Sequence, residues 1–210
     1  MQSKVKAVIF DYGGVLCKLP PPEQIQELSD LCGLEETEFL KHFWTFRLAY
    51  DRGDFDGPLF WRNIGKAAGK SYTDEQIGLF VVKDVQLWLQ LDESMLAWNR
   101  TLREGGWKTA ILSNMPDALG IHLRQHSNLF GQFDHVTLSY EIRSAKPESK
   151  IYRSCMANLG LKSGDAVFLD DKVVNIHAAQ AVGLHAITFR SREDFAGRED
   201  AYSLPPIPVG

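Results

Sequence analysis

The chain has 210 residues, of which 44% are hydrophobic and 24% are charged, and its formal net charge is -4. This length allows one domain plus a modest insertion, and the composition is that of a globular protein. The negative charge gives no electrostatic reason to expect nucleic acid or an anionic membrane as a partner. Three widely spaced cysteines, Cys17, Cys32 and Cys155, predict reduced thiols rather than a disulfide framework or a zinc site.

The N-terminal apolar stretch is interrupted by Asp11, too soon for a signal peptide. No run of about 18 apolar residues indicates a membrane span. We therefore expect a cytoplasmic protein with a small-molecule partner.

Five short apolar runs are typical of buried strands. They cover residues 5–10, 108–112, 135–138, 166–169 and 184–188. Between these runs lie helical patterns, at residues 96–103, 116–127, 149–159 and 173–182. Strands that alternate with helices predict right-handed crossovers and an α/β, Rossmann-like three-layer fold with a parallel sheet.

Residues 18–90 have helical periodicity and no convincing strand. Their apolar patterns predict helices at 23–32, 36–50, 58–68 and 73–89. We interpret this region as a helical cap inserted after the first strand, with the core formed by residues 1–17 and 91–210. We expect the proline-rich tail, residues 204–210, to lie extended on the surface or to be disordered.

Polar residues stand where three of the predicted strands end, and ligands of parallel sheets bind beyond such ends. Asp11 precedes two glycines, which allow backbone amides to approach an anion, although an aspartate that caps a turn explains it equally well. Asp170 and Asp171 suit a magnesium ion or, alternatively, the acidic first turn of a helix. Ser113 and Asn114 are phosphate donors or simply a loop.

Lys146 follows a fourth apolar run. It either offsets the charge of a phosphate and of the acidic residues or is an ordinary solvated surface lysine. The order of these candidates along the chain, each just after a strand, favours a common site over separate structural roles.

Taken together, four segments resemble the motifs of the haloacid dehalogenase superfamily. They are residues 10–16 (Phe-Asp-Tyr-Gly-Gly-Val-Leu), 111–114 (Ile-Leu-Ser-Asn), 146–147 (Lys-Pro) and 168–171 (Phe-Leu-Asp-Asp). The last segment continues through Asn175, Ala178, Ala179 and Gly183 in the spacing usual for that family. The first motif, and residues 50–55 (Tyr-Asp-Arg-Gly-Asp-Phe), also resemble the branch of the family that acts on glucose 1-phosphate.

The resemblance implies a magnesium-dependent phosphatase of small organic phosphate monoesters. It implies that Asp11 attacks phosphorus and forms an aspartyl-phosphate, which water then hydrolyses. It assigns magnesium to Asp11, the Gly13 carbonyl and Asp171, with Asp170 acting through water or orienting Lys146. It assigns the phosphoryl oxygens to Ser113, Asn114 and Lys146.

Gly13 departs from the common pattern, in which a second aspartate protonates the leaving oxygen at this position. A general acid–base group contributes about 10² to 10⁴ in rate, so its loss should limit turnover of poor leaving groups. We therefore expect a preference for activated esters, namely sugar 1-phosphates, aryl phosphates or acyl phosphates.

Several cap residues are candidates for the substrate pocket, although aromatic residues at helical spacing are more often core. They are His42, Trp44, Arg47, Tyr50 and Trp61, and Arg47 is the candidate for contact with phosphate. Two other functions stay open: a metal-independent 2-haloacid dehalogenase that binds a substrate carboxylate through Arg47, and a catalytically silent binding protein. The paired acids Asp170 and Asp171 argue against the dehalogenase, because that reaction needs no metal.

Overall fold

A computed structural model describes residues 5–208 of the chain. The strands are β1 (Ala7–Phe10), β2 (Lys108–Ser113), β3 (His135–Leu138), β4 (Ala166–Asp170) and β5 (His185–Thr188). The helices are α1 (Pro22–Leu31), α2 (Glu36–Asp51), α3 (Gly57–Ala67), α4 (Asp74–Gln86), α5 (Glu93–Glu104), α6 (Asp117–His126), α7 (Ser139–Ile142), α8 (Ser149–Leu159), α9 (Val173–Ala181) and α10 (Arg192–Phe195). Short 3-10 helices cover Phe130–Gln132, Ser163–Asp165 and Glu199–Tyr202.

The five strands form one parallel sheet in the order β3-β2-β1-β4-β5. Because side chains alternate along a strand, Val8 and Phe10 face one core and Ala7 and Ile9 face the other. Helices α8 and α9 cover one face of the sheet, and α5 packs against the other. The predicted three-layer α/β fold is confirmed.

All five predicted strands are present, and two of them are longer than predicted. β2 includes Ser113 and β4 includes Asp170, so these polar residues end the strands rather than begin the loops. Helix α5 begins at Glu93 because Asp92 accepts hydrogen bonds from two backbone amides of the first turn. The short helices α7 and α10 were not predicted, since four residues carry too little periodicity.

Four helices, α1 to α4, occupy the segment between β1 and α5, which agrees with an all-helical insertion. Local signals begin these helices: Pro22 opens α1, Asp56 caps α3, and Thr73 forms a capping box with Gln76 at the start of α4. The helices bury their own apolar cluster, in which aromatic side chains dominate. We refer to α1–α4 as the cap; the domain boundaries at residues 17 and 90 stay predictions.

The cap is tied to the sheet domain by polar contacts at the end of α2. Arg52 forms an ion pair with Glu148 at 3.1 Å, and the hydroxyl of Ser139 donates to the backbone carbonyl of Asp51. Cys17, Cys32 and Cys155 are free and buried, as predicted. Between residues 5 and 208, no helix combines the length and apolarity needed to cross a membrane.

Residues 204–208 lie against the body of the protein, so the disordered alternative is wrong for this part of the tail. Leu204 is buried in the core on one face of the sheet, and the indole nitrogen of Trp98 donates to the carbonyl of Pro205 at 2.8 Å. The last two residues of the predicted tail lie outside the described residues.

We expect Leu204→Ala to lower the free energy of unfolding by about 2 to 5 kcal/mol, because it leaves a cavity in the core. Urea denaturation followed by circular dichroism measures this difference. Leu79→Ala, at an exposed leucine, is the control and should change stability by less than about 0.5 kcal/mol. Equal stability of both variants would mean that the tail does not contribute to the core.

Candidate active site

The carboxyl ends of β1 and β4 bring the acidic residues together. The two strands are neighbours with Phe10 opposite Leu169, so the next residues, Asp11 and Asp170, lie side by side. The Asp11 amide continues the ladder by donating to the Leu169 carbonyl at 2.8 Å. Carboxylate oxygens of Asp11, Asp170 and Asp171 lie within 4.8 Å of one another.

Lys146 is buried between two of these carboxylates. Its Nζ lies 2.7 Å from Asp11 Oδ1 and 2.7 Å from Asp170 Oδ2. Burial lowers the pKa of the Lys146 ammonium, but Asp11 and Asp170 outweigh it and the pKa is raised. The residue is therefore a fixed cation, and the alternative of a solvated surface lysine is wrong.

Asn114 fixes the backbone of Lys146. Its side-chain amide donates to the Lys146 carbonyl at 2.9 Å and its Oδ1 accepts from the Lys146 amide at 2.7 Å. Because Asn114 follows β2 directly, this pair of hydrogen bonds joins the loop of Lys146 to the sheet. The side chain of Asn114 is thus already engaged, which leaves its backbone amide for a ligand.

Asp170 is fully buried and accepts four hydrogen bonds or ionic contacts in all. Lys172 donates its backbone amide at 2.7 Å, Asn175 donates to both carboxylate oxygens at 3.0 Å, and Lys146 contributes the ion pair. Burial raises the pKa of Asp170, but Lys146 and the hydrogen bonds outweigh it and hold the pKa below its usual value. Asp170 is therefore ionised and orients Lys146.

Asp171 differs from Asp170 in having an unsatisfied oxygen. Its Oδ1 is buried, and no residue between 5 and 208 donates a hydrogen bond to it. Burial raises its pKa. A buried acceptor without a donor is unfavourable, and a hard divalent cation is the ligand that carboxylate oxygens prefer. The three carboxylates fit a magnesium ion on this ground.

The close approach of the three carboxylates affects the pKa of Asp11 most strongly. Burial raises its pKa to about 8, opposed by Lys146 and reinforced by the negative charge of Asp170 and Asp171. Without another cation, Asp11 is therefore largely protonated at neutral pH. A cation bound beside it favours the ionised carboxylate, which is the form that can act as a nucleophile.

A cavity of about 360 Å³ opens above these groups. The remaining polar candidates from the sequence, Gly13, Ser113 and Asn114, line the same cavity. Ser113 is buried, and its Oγ lies 3.4 Å from the Asn114 carbonyl. Asp11, Ser113, Asn114 and Asp171 thus meet at one cavity, as does Lys146, whereas Asp170 is buried beneath it.

The position of Gly13 is crowded from the side of the cap. A Cβ placed on Gly13 would lie 3.2 Å from Trp88 Cζ3, so a side chain here requires Trp88 to move. The hydroxyl of Tyr12 donates to the Trp88 carbonyl at 2.6 Å, which holds this tryptophan against the glycine loop. The indole ring therefore restricts the space next to residue 13, where the family pattern has a second aspartate.

Arg47 reaches the cavity from α2, but its guanidinium is already matched by carboxylates. Its Nε donates to Asp51 at 2.7 Å and its Nη1 to Asp84 at 2.9 Å, and it also stacks over Trp88 at 5.5 Å. Burial lowers its pKa, but the two aspartates outweigh it and raise the pKa. The geometry favours a structural role, and contact with phosphate stays a prediction.

The aromatic residues predicted to line the pocket differ in where they lie. Trp44 lines the cavity, whereas Tyr50 and Trp61 are fully buried in the aromatic core of the cap. No sequence pattern pointed to Trp88, which lies against Gly13 only because of the fold. Asn175 was noted only for its spacing, yet it is the side chain that holds both oxygens of Asp170.

Residues 5–183 match a family model described as haloacid dehalogenase-like hydrolase. The chain belongs to this family. As a haloacid dehalogenase-like hydrolase, it places the four motifs of residues 10–16, 111–114, 146–147 and 168–171 around one cavity, and the resemblance seen in the sequence is confirmed.

Known proteins give three further comparisons. The chain is 26% identical over 185 residues to the sesquiterpene phosphatase astK of Aspergillus oryzae, covering 88% of this chain and 89% of that protein. It is similar to the haloacid dehalogenase family enzyme BT-2542 of Bacteroides thetaiotaomicron, with a TM-score of 0.73, 24% identity and coverage of 88% and 93%. BT-2542 has also been solved with magnesium and inorganic phosphate.

The L-2-haloacid dehalogenase of Xanthobacter autotrophicus has a TM-score of 0.65 with 19% identity, covering 96% of this chain and 85% of that one. At these identities the two solved structures show a shared fold. Because enzymes of different chemistry share it, function has to be argued from the site.

We expect Asp11→Asn to flatten the pH dependence of stability in metal-free buffer. Between about pH 4 and about pH 8, the folded wild type holds a proton on Asp11 that the unfolded chain has lost, so its free energy of unfolding falls as the pH rises. Each unit of pKa difference contributes about 1.4 kcal/mol. Urea denaturation in EDTA across this range measures the slope.

The matched control is Asp74→Asn, at an aspartate whose side chain is 88% exposed, and it should keep the wild-type slope. Parallel pH profiles for wild type and Asp11→Asn would contradict the assignment of the raised pKa to this carboxyl.

Proposed function

We propose that the chain is a magnesium-dependent phosphatase that hydrolyses small organic phosphate monoesters through an aspartyl-phosphate on Asp11. The observation that carries this proposal is the cluster of Asp11, Asp170 and Asp171 around buried Lys146. Asp11, Asp171 and Lys146 line one cavity, and Asp170 is buried directly behind them. The Aspergillus oryzae relative, a phosphatase by name, supports the same reaction class.

In the proposed reaction, a carboxylate oxygen of Asp11 forms a bond to phosphorus while the bond from phosphorus to the alcohol oxygen breaks. The alcohol leaves with the bonding electron pair and takes a proton from water. A water molecule then attacks phosphorus, releases inorganic phosphate and restores the Asp11 carboxylate. Asp11, Asp171 and the Gly13 carbonyl would hold magnesium, which supplies positive charge against the phosphate oxygens.

The other residues of the floor take roles that follow from their contacts. Lys146, held by Asp170 and by Asn114, offers a positive charge at a fixed position to a phosphoryl oxygen. The Ser113 hydroxyl and the Asn114 backbone amide are further donors at the same edge. Preorganised donors of this kind favour the charge that develops in phosphoryl transfer.

Gly13 restricts which esters react well. Glycine has no side chain that could protonate the leaving oxygen, and Trp88 lies against this position. Esters whose leaving group departs as a stable anion need less protonation. This supports the predicted preference for activated esters over simple alkyl phosphates.

The decisive experiment is a phosphatase assay with 4-nitrophenyl phosphate in magnesium and in EDTA. We expect turnover only with magnesium, and we expect Asp11→Asn to lower kcat by at least ~10³-fold, since it removes the covalent nucleophile. Beryllium fluoride with magnesium should bind wild type and raise its melting temperature, but should not do so for Asp11→Asn.

Two outcomes would overturn the proposal. Release of halide from 2-haloacids in EDTA, without phosphate release, would show the dehalogenase instead. Absence of both turnover and beryllium fluoride binding would show a silent binding protein. Asp74→Asn, far from the acidic cluster in sequence and exposed, is the control for general effects of neutralising a carboxylate.

We expect Gly13→Asp to raise kcat/KM for an alkyl phosphate relative to 4-nitrophenyl phosphate by about 10²-fold, the low end for a general acid. The low end applies because Trp88 has to move. Gly13→Ala is the matched control, since it makes the same Cβ contact with Trp88 without a carboxyl group. An unchanged ratio in an active Gly13→Asp enzyme would contradict the role assigned to this position.

A further inference from the structure

The cavity has two chemically different parts. Its floor holds the charged and polar residues of the four motifs, whereas its upper wall is almost entirely apolar. The apolar lining residues are Leu19, Pro20, Ile25, Leu40, Phe43, Trp44, Leu87, Trp88 and Leu119. A phosphate bound at the floor would therefore direct the rest of its ester against hydrocarbon and indole surface.

The polar groups of the upper wall are engaged with one another. Arg47 is paired with Asp51, and the Tyr12 hydroxyl donates to the Trp88 carbonyl. The indole nitrogen of Trp88 is an exception, because it is buried and no residue between 5 and 208 accepts a hydrogen bond from it. Since it is enclosed, it does not offer its N–H to a ligand in this conformation. Lys172, at the edge, is the exposed charge among the lining residues.

A sugar is poorly matched to this wall. Each hydroxyl that leaves water needs a new hydrogen-bond partner, and burying it without one is unfavourable. An apolar group loses nothing on leaving water and gains from removal of its surface. The upper wall therefore favours apolar groups over sugars because of its chemistry and not only because of the cavity's size.

Exposed apolar residues at the entrance of the cavity also favour an apolar substrate. Leu19 and Trp44 line the cavity, yet they are 57% and 52% exposed. Single exposed apolar residues are ordinary on a protein surface. Here both stand at the entrance of an apolar cavity, where a hydrocarbon substrate would cover them.

We propose that the natural substrate is a phosphate monoester whose alcohol part is a hydrocarbon, aromatic or unsaturated, and not a sugar. This inference rests on the proposed phosphatase function. The cap selects the alcohol part by burying it against the apolar wall, while the floor recognises the phosphate that all substrates share. The cavity volume of about 360 Å³ lies near the lower end of ligand pockets, which suits a compact hydrocarbon group.

The test uses 4-alkylphenyl phosphates from phenyl to butylphenyl, because their leaving groups differ little in acidity. We expect kcat/KM to rise by about fourfold per added methylene until the cavity is full, the value that corresponds to burial of one methylene. Glucose 1-phosphate should be at least ~10-fold poorer than phenyl phosphate. A flat series, or preference for glucose 1-phosphate, would overturn the inference.

Binding of n-alkylphosphonates keeps this test separate from catalysis, since their carbon–phosphorus bond is not hydrolysed by the proposed reaction. Calorimetry in magnesium should give a Kd that falls with chain length. If the affinity for n-alkylphosphonates rises with chain length but no ester is hydrolysed, the apolar site is supported and the phosphatase function is refuted. If 4-nitrophenyl phosphate is hydrolysed but the Kd of n-alkylphosphonates does not depend on chain length, the phosphatase function is supported and the apolar site is refuted.

Variants at the entrance of the cavity test whether the gain in kcat/KM per methylene arises from the apolar wall. Leu19→Ser should reduce the gain per methylene, and Trp44→Ser should do the same independently, so that one misfolded variant does not decide the test. Leu59→Ser is the matched control, because Leu59 is 45% exposed on the cap but does not line the cavity. An equal gain per methylene in all three variants would contradict the proposed wall.

Discussion

The site depends on one buried cation, Lys146, held between the carboxylates of Asp11 and Asp170. Three carboxylates converge there because β1 and β4 are neighbours whose ends are in register. One ammonium cannot balance three carboxylates. Burial raises the pKa of Asp11 to about 8, and Lys146 only partly opposes this rise. For Asp170, Lys146 and the hydrogen bonds outweigh burial and lower the pKa. The protein thus contains an excess of acidic groups that a divalent cation would balance, and such a cation would favour the ionised form of Asp11, the proposed nucleophile.

Rigid elements supply each part of this arrangement. Strand ends fix the three acids, and Asn114 ties the Lys146 backbone to the end of β2 by two hydrogen bonds. Asn175, in the first turn of α9, holds both oxygens of Asp170. The charged groups therefore keep their positions without a bound ligand. Reorganisation on binding would be small, which is the condition for strong electrostatic stabilisation of a transition state.

Sequence patterns predicted the sheet, the cap helices and the residues of the floor, because strand ends and glycine turns are local signals. They could not predict contacts that arise when distant elements pack. Trp88 lies 75 residues from Gly13 in the chain, and only the fold brings its ring against the glycine. Arg47 looked like a free cation because its partner Asp84 is contributed by a different helix. The engaged side chain of Asn114 was missed for the same reason.

Gly13 and Trp88 are best understood together. The ring that lies against residue 13 is also part of the apolar wall, so one packing contact links the position without a proton donor to the apolar side of the cavity. An apolar wall disfavours a localised alkoxide, because burial of a charge without partners is costly. A leaving group with a delocalised charge meets this constraint and also needs no proton. Under the proposed phosphatase function, both constraints favour hydrocarbon esters whose leaving oxyanion is delocalised, such as aryl phosphates, and a glycine at residue 13 would then be compatible with catalysis.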